Sequence, residues 1–302
     1  MIRYLRNSKI DRSRWDRCVE WSPHARVYAA SWYLDRVHPG WEALVLDDYR
    51  AVFPLPVSRK YGIAYVHTPF FVQQLGTFCR EGDPGTFTAM FLDALPSHIR
   101  YVDLCLNHTD RSGGDTGRWH CRMNLVLDLS PGKAALRRSY SENTRRNLSR
   151  AEKSGIEVKP FGDAEHLVHL FRKDRGREFG RIRDRHYRAL LSLMNDSLRR
   201  GTGRIMMAES SGERLAGAFF LEHGHRLYFL FSGNSPAGRR HGALPRLIDR
   251  MIEEYAGKSM VLDFEGSDCE GLARFYRGFG AGEERYPRVV INRLPWPLKR
   301  FK

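Results

Sequence analysis

Cysteine is scarce in this chain and has no pairing pattern. Cys18, Cys79, Cys105, Cys121 and Cys269 are an odd number with no C-x-x-C spacing. That argues against a disulfide framework and a zinc site, and makes a reducing cytosol the expected compartment. Histidine does not fill the gap: His67, His108 and His120 are scattered, without helical metal-ligand spacing, so no metal is expected. Long apolar runs are missing too. No stretch approaches the ~18 uninterrupted apolar residues of a membrane-spanning helix, and the segment from Met1 to Asp11 has no apolar signal core. Acidic charge is in deficit, with 35 Asp+Glu against 50 Lys+Arg and a formal net charge of +15. The excess suits polyanionic partners such as nucleotides, tRNA or acidic lipid surfaces. The same total also arises from charges spread over solvated faces.

What is present is a globular composition. Of 302 residues, 42% are hydrophobic and 12% aromatic, enough for two modest domains with separate cores. In the first half, helices are expected near Arg14–Glu20, Ala29–Val37 and Phe87–Leu95. Strands are expected at Ala43–Leu46, Ala51–Val57, Ile63–Val66, Tyr101–Leu106 and Cys121–Leu129. Pro54 and Pro56 mark an edge or an interrupted ladder. Asp110–Gly117 reads as a polar loop. Gln73 and Gln74, beside aromatics and a glycine, suit either a polar acceptor or the backbone of their own loop.

From Ser130 to Gly155 the chain reads as one basic helix. Arg146, Arg150 and Lys153 share a face at i, i+4 and i+7. Guanidinium groups so placed suit phosphate; a solvated helix with a Glu142–Arg146 pair is the plainer reading. Arg175–Arg188 carries six arginines, again a phosphate grip or a charged loop. A meander follows at Arg204–Glu209, Arg214–Glu222 and His225–Ser232, turned by Ser211-Gly212 and His223-Gly224. Leu244, Leu247, Ile248, Met251, Ile252 and Tyr255 then form a helical stripe. Arg239, Arg240 and Gly242 stand ahead of that helix, whose N-terminus is a natural anion site.

The organising stretch is Ser259 to Ala281. Val261, Asp263 and Glu265 alternate with Leu262 and Phe264, as in a strand with two carboxylates on one face. Gly266-Ser267-Asp268 breaks it with helix-capping side chains. Leu272, Phe275, Tyr276 and Phe279 then share one stripe of a short helix. Carboxylate and phenol together form a candidate acid/base pair for acyl transfer. A core tyrosine and arginine-paired carboxylates are the structural alternatives.

The run A-R-F-Y-R-G-F-G, Ala273 to Gly280, resembles the last helix of GNAT-type acyltransferases. Led by L-D-F-E-G at Leu262–Gly266, it resembles more closely the Fem-type peptidyltransferases, which carry two GNAT-like domains in one chain. The motif T-R-R-N-L-S-R-A-E-K-S-G-I from Thr144 resembles the Fem-type helix between domains. Arg239 and Gly242 match the GNAT pyrophosphate loop R-x-x-G-x-small, with Leu244 departing at the small position. Many Fem-type enzymes have lysine where Tyr276 stands; the tyrosine matches the GNAT residue that protonates a leaving thiolate.

The resemblance, over about residues 25 to 290, implies an α/β (α+β) fold of two tandem GNAT-like domains. Each is expected as a mixed, mainly antiparallel sheet flanked by helices, with a hairpin-strand-helix-strand plan repeated roughly 160 residues apart. The expected division is residues 1–130 on the acceptor side, a connecting helix at 131–155, and 156–302 on the donor side. It implies an N-acyltransferase with acyl-CoA as co-substrate, or aminoacyl-tRNA as the alternative donor. The acceptor is a small-molecule or peptide amine in the cleft between domains, gripped by Gln73, Gln74 and Arg146. Phe231, Ser232, Gly233, Asn234, Arg239, Arg240 and Gly242 would hold the donor. Backbone near Phe231–Gly233 would stabilise the oxyanion, Glu265 or Asp263 would take the amine proton, and Tyr276 would protonate the leaving group. A non-catalytic module holding RNA or an anionic lipid is the reading from another class. The basic, aromatic tail Leu294–Lys302 would strap down or touch a membrane surface.

Overall fold

The computed structural model describes residues 1–110, 118–174, 182–266 and 268–296. Ser267, most of the Asp110–Gly117 loop, residues 175–181 of the arginine-rich run and the end of the tail, all singled out above, lie outside the described residues.

Contacts divide the chain into two units. One holds residues 1–122 and 285–302, the other 123–284. In chain order the first unit runs β1 (Ile2–Leu5), α1 (Arg12–Trp21), α2 (Ser31–Val37), β2 (Glu42–Leu46), β3 (Ala51–Leu55), β4 (Val57–Lys60), β5 (Ile63–His67), β6 (Phe78–Cys79), α3 (Pro84–Asp93) and β7 (Ile99–Cys105). The chain then passes through β8 (Trp119–Asp128), α4 (Lys133–Arg138), α5 (Glu142–Lys153), β9 (Glu157–Pro160), α6 (Ala164–Asp174), α7 (Asp184–Arg199), β10 (Gly203–Ser210), β11 (Glu213–His223) and β12 (Arg226–Asn234). It ends with α8 (Pro236–His241), α9 (Ala243–Tyr255), β13 (Val261–Asp263), α10 (Glu270–Arg277) and β14 (Gly282–Asn292). The division differs from one drawn along the chain at 130 and 155. The last strand returns to pair antiparallel with β7, and α5, expected as a connector, packs against α8 and α9.

Within the first unit, β1, β2, β3 and β6 form one antiparallel sheet. Pro56 separates β3 from β4, and past it the chain leaves that sheet to pair with β5. A proline cannot donate to a ladder, so it sits where the ladder changes hands. β5 and β7 are parallel, joined by a crossover containing α3. Trp15, Trp41, Phe53 and Phe91 fill the core, and each buried indole N–H is satisfied: Trp15 Nε1 donates to the Ala29 carbonyl at 2.7 Å and Trp41 Nε1 to Asp35 at 2.8 Å.

The second unit repeats the plan. β9, β10, β11 and β12 form an antiparallel meander, and β12 pairs in parallel with β13 after the α8–α9 crossover. β8 completes the order as antiparallel partner of β13. Ser211 and Gly212 both have positive φ, +50° and +78°, as the tight turn between β10 and β11 requires. The core is built from Phe220, Phe229, Leu247, Met251, Phe264 and Phe279. The single basic helix expected over 130–155 is two helices. Ser139 ends the first, and Ser141 caps the second, its side chain accepting the Thr144 N–H at 3.2 Å. No helix of the described residues is long and apolar enough to cross a membrane.

One buried carboxyl in the first unit has an unusual setting. Asp110 Oδ2 accepts the Thr77 and Asn107 N–H groups at 3.1 and 3.2 Å, while Oδ1 has no hydrogen-bond partner among the described residues. Burial pushes its pKa up to about 8, against the pull of those donors and of Thr88. Its unfolded value is ~3.9. Between the two the folded chain holds an extra proton, so this group's contribution to stability is complete below about pH 4 and falls as pH rises through 8. Asp110→Asn, which never ionises, is expected to flatten that slope. Melting temperatures of both proteins from pH 4 to 9 check this; parallel curves would show that Asp110 ionises freely in the fold.

Candidate active site

The candidate site is an opening in the sheet of the second unit. β12 pairs with β13 only at Arg226↔Val261, Leu227↔Leu262 and Tyr228↔Asp263. β13 stops there because Glu265 and Gly266 both take left-handed conformations, φ +63° and +74°, and turn the chain away. β12 runs on to Asn234, so no described strand extends that edge beyond Tyr228. Its other edge stays paired with β11, with Leu230 bulged between Phe229↔Phe220 and Phe231↔Phe219. A bulge twists the strand and re-aims backbone groups. Main-chain N–H groups on an unextended, re-aimed edge are what an oxyanion site needs.

Aromatic rings fill the base of the opening. Tyr276 stacks on Phe264, with centroids 4.7 Å apart and planes at 20°, and meets Phe229 edge-on at 6.2 Å. The stripe of α10 differs from expectation at one end: Leu272 is 44% exposed, and Ala273 takes the inward place. Tyr276 is 8% exposed, and its hydroxyl has no hydrogen-bond partner among the described residues. Burial first, then the Glu265 carboxylate and Cys269, raise its pKa above the ordinary phenol value. The ring therefore stays protonated through the neutral range, which suits a proton donor and not a base.

The two carboxylates do not share a strand face. Asp263 is fully buried; it receives Arg226 Nη1 at 2.6 Å, Asn124 Nδ2 at 3.0 Å and the Glu265 N–H at 2.9 Å. Arg226 also reaches Glu284, Nη2 to Oε2 at 2.9 Å. With its oxygens so committed, Asp263 is an anchor for β12, β13 and β8 and not an accessible base. Glu265 is half-buried beside Tyr276, off the strand's end. It is the carboxylate that the structure leaves next to the phenol.

The expected diphosphate loop is folded up. Ser235 caps α8, accepting the Gly238 N–H at 3.0 Å. Arg239 is turned onto Asp174, 2.9 Å from Nη2 to Oδ1, and onto the Asn234 carbonyl at 2.9 Å. Gly242 lies between α8 and α9 at φ +75°, and a Cβ there would stand 2.4 Å from the Asn147 carbonyl oxygen of α5. Arg150 of the same helix donates to the Arg240 carbonyl at 3.3 Å, and Ser154 contacts His241 at 3.0 Å. Helix α5 thus packs directly against the loop glycine. Gly233 packs on α6, where a Cβ would meet the Phe171 nitrogen at 2.9 Å, and the Phe231 ring lies tilted against Phe171 with centroids 4.7 Å apart.

The residues expected to grip the acceptor have local partners. Gln74 is fully buried, donates to Gln73 Oε1 at 2.6 Å and accepts the His108 N–H at 3.0 Å, so the pair supports its loop. Arg146 is exposed and pairs with Glu142 at 3.4 Å. Sequence reasoning missed Arg226, Asn124 and Glu284, three polar residues carried by the separate strands β12, β8 and β14. It also missed the hub at Asp249, which receives Arg137 at 2.7 Å, Arg246 at 2.9 Å and Tyr140 at 3.0 Å on the wall of a groove of about 700 Å³.

Residues 138–286 match the family described as acetyltransferase (GNAT) domain. No curated protein matches the chain. Among solved structures it is similar to FemX, at 14% identity over 99% of both chains with a TM-score of 0.68. It is also similar to a conserved protein of unknown function from Bacteroides thetaiotaomicron, at 12% identity over 96% of this chain and all of that one, TM-score 0.64. L-PGS from Bacillus licheniformis follows at 12% identity over 96% and 95%, TM-score 0.57. With the opened parallel pair and the aromatic helix behind it, residues 138–286 form an acyltransferase domain of the GNAT kind, and the whole chain shares the tandem fold of FemX.

Proposed function

We propose that the protein transfers an acyl group to an amine from an oxygen-ester donor of the aminoacyl-tRNA kind. The carrying observation is the contact between Gly242 and the Asn147 carbonyl. A CoA diphosphate held in the usual loop would approach Gly242, and α5 already packs closely against that glycine. Arg239, the loop's arginine, is engaged with Asp174. The phenol supports the same reading. A tyrosine whose pKa is raised above its ordinary ~10 would lose a proton uphill to a thiolate, whose conjugate acid lies near ~8.5. A departing sugar alkoxide is the stronger base and takes that proton more readily than a thiolate does.

In this reading the donor carbonyl lies along the unextended edge of β12 near Phe231–Gly233, where an N–H not directed at β11 meets the developing oxyanion. Removing one such donor typically costs ~10²–10³ in rate. Glu265 takes the proton of the attacking amine, directly or through water, and Tyr276 protonates the departing oxygen. Phe231, Ser232, Gly233 and Asn234 remain the donor side of the site. Asp263 holds the strands that shape it.

Three outcomes are expected. Incubation with charged tRNA and an amine acceptor, read by mass spectrometry, yields an amide, and acyl-CoAs yield none. A CoA-dependent product sinks the ester reading, and no amide from any donor sinks acyl transfer itself. Tyr276→Phe lowers kcat by about 100-fold or more while the fold melts as before; unchanged kcat removes the phenol from the mechanism. Glu265→Gln loses activity with little change in melting temperature, whereas Asp263→Asn loses about 3–5 kcal/mol of stability, measured by urea unfolding. The reverse pattern would exchange their roles.

A further inference from the structure

A groove in the first unit lies away from any residue given a role above. The end of α1, the β2–β3 turn and the segment after β6 enclose a groove of about 340 Å³. That lies at the small end of ligand pockets, roughly 300–1,000 Å³. Its walls carry Arg14, Arg17, Trp21, Tyr49, Arg50 and Arg80. Trp21 is 54% exposed, unlike the chain's buried Trp15 and Trp41. The Arg17 and Arg80 guanidiniums lie 5.7 and 5.0 Å from its ring centroid.

Charge in the groove is out of balance. Two carboxylates, Asp48 and Glu81, face four guanidiniums. Arg14 pairs with Asp48, and Arg80 approaches Glu81 at 3.7 Å. Arg17 and Arg50 form no ion pair among the described residues; Arg50 instead lies 5.5 Å from the Phe87 centroid. Like charges held in one small groove repel, and a bound dianion relieves that repulsion. Guanidinium forks suit phosphate oxygens in particular. The scaffold is set: Tyr49 is held at φ +61° in the turn, and its hydroxyl accepts the Asp11 N–H at 2.8 Å.

We propose that this groove binds a nucleotide unit, its phosphate between Arg17 and Arg50 and its base against the indole of Trp21. A flat exposed ring beside unpaired guanidiniums matches both parts of that ligand, since bases stack on aromatic faces whatever their identity. The unit comes either free or as part of a single strand. The site stands apart from the donor reading above, because none of its residues takes part in acyl transfer.

The test uses the full-length chain with AMP and with a labelled six-nucleotide single-stranded RNA, in calorimetry and fluorescence anisotropy. Binding of AMP marks a free-nucleotide site; binding of the oligonucleotide alone marks a strand-binding one. In either case Trp21→Ala weakens binding about tenfold or more, and Trp21→Phe retains most of it. Arg17→Gln with Arg50→Gln weakens binding and lowers its salt dependence. All these side chains are on the surface, and unchanged melting temperatures confirm intact folds. Equal affinity of wild type and Trp21→Ala, or no binding of either probe at millimolar concentration, overturns the proposal.

Discussion

The buried pairing of Arg226 with Asp263 and Glu284 sets the geometry on which the candidate site depends. Asp263 is the last residue of β13, and it does two things at once. It holds the first residue of β12 through Arg226 and accepts the Glu265 N–H, where the backbone turns left-handed. The first contact brings two strands into parallel register over three residues. The second ends that register. The result is an edge of β12 with a bulge in its backbone and no strand extending it. Such a pair is no bonus to stability as such, because desolvating two charges consumes most of their attraction. Its value lies in specificity: with one partner gone, the other is left charged and buried.

Behind the opening, the same burial that makes Tyr276 a core residue also defines its chemistry. A ring stacked on Phe264 cannot swing, and its raised pKa keeps the proton in place. The structural and catalytic readings of this tyrosine are therefore compatible. A core ring can present one atom to a cleft, provided that atom is protonated and unengaged.

The two units show how one plan supports different loads. Each joins an antiparallel meander to a parallel pair by a helical crossover. In the second, an extra pair of helices, α4 and α5, packs on the crossover helix through the Arg137–Asp249 pair and the close approach of Asn147 to Gly242. Glycine at 242 serves both the left-handed turn and that approach.

Much of the fold was legible in the residues. Alternation, helical stripes and turn pairs such as Ser211-Gly212 are local signals, and they placed most strands and helices and the tandem order. Proline at 56 and serine at 141 marked real breaks, although the second was read through as continuous helix. The phenol and the two nearby carboxylates, Asp263 and Glu265, were also legible as candidates, from a short motif. Their environment was not. Arg226 and Asp263 are 37 positions apart, and Arg226 and Glu284 58 apart. No local pattern says which of two nearby acids will meet that guanidinium. Sequence by itself determined the elements and their order, because period and turn chemistry act over a few residues. Only the tertiary structure decided that Asp263 is an anchor, that Tyr276 is buried and that α5 lies across Gly242. Burial and ion pairing depend on what distant segments bring to the same place.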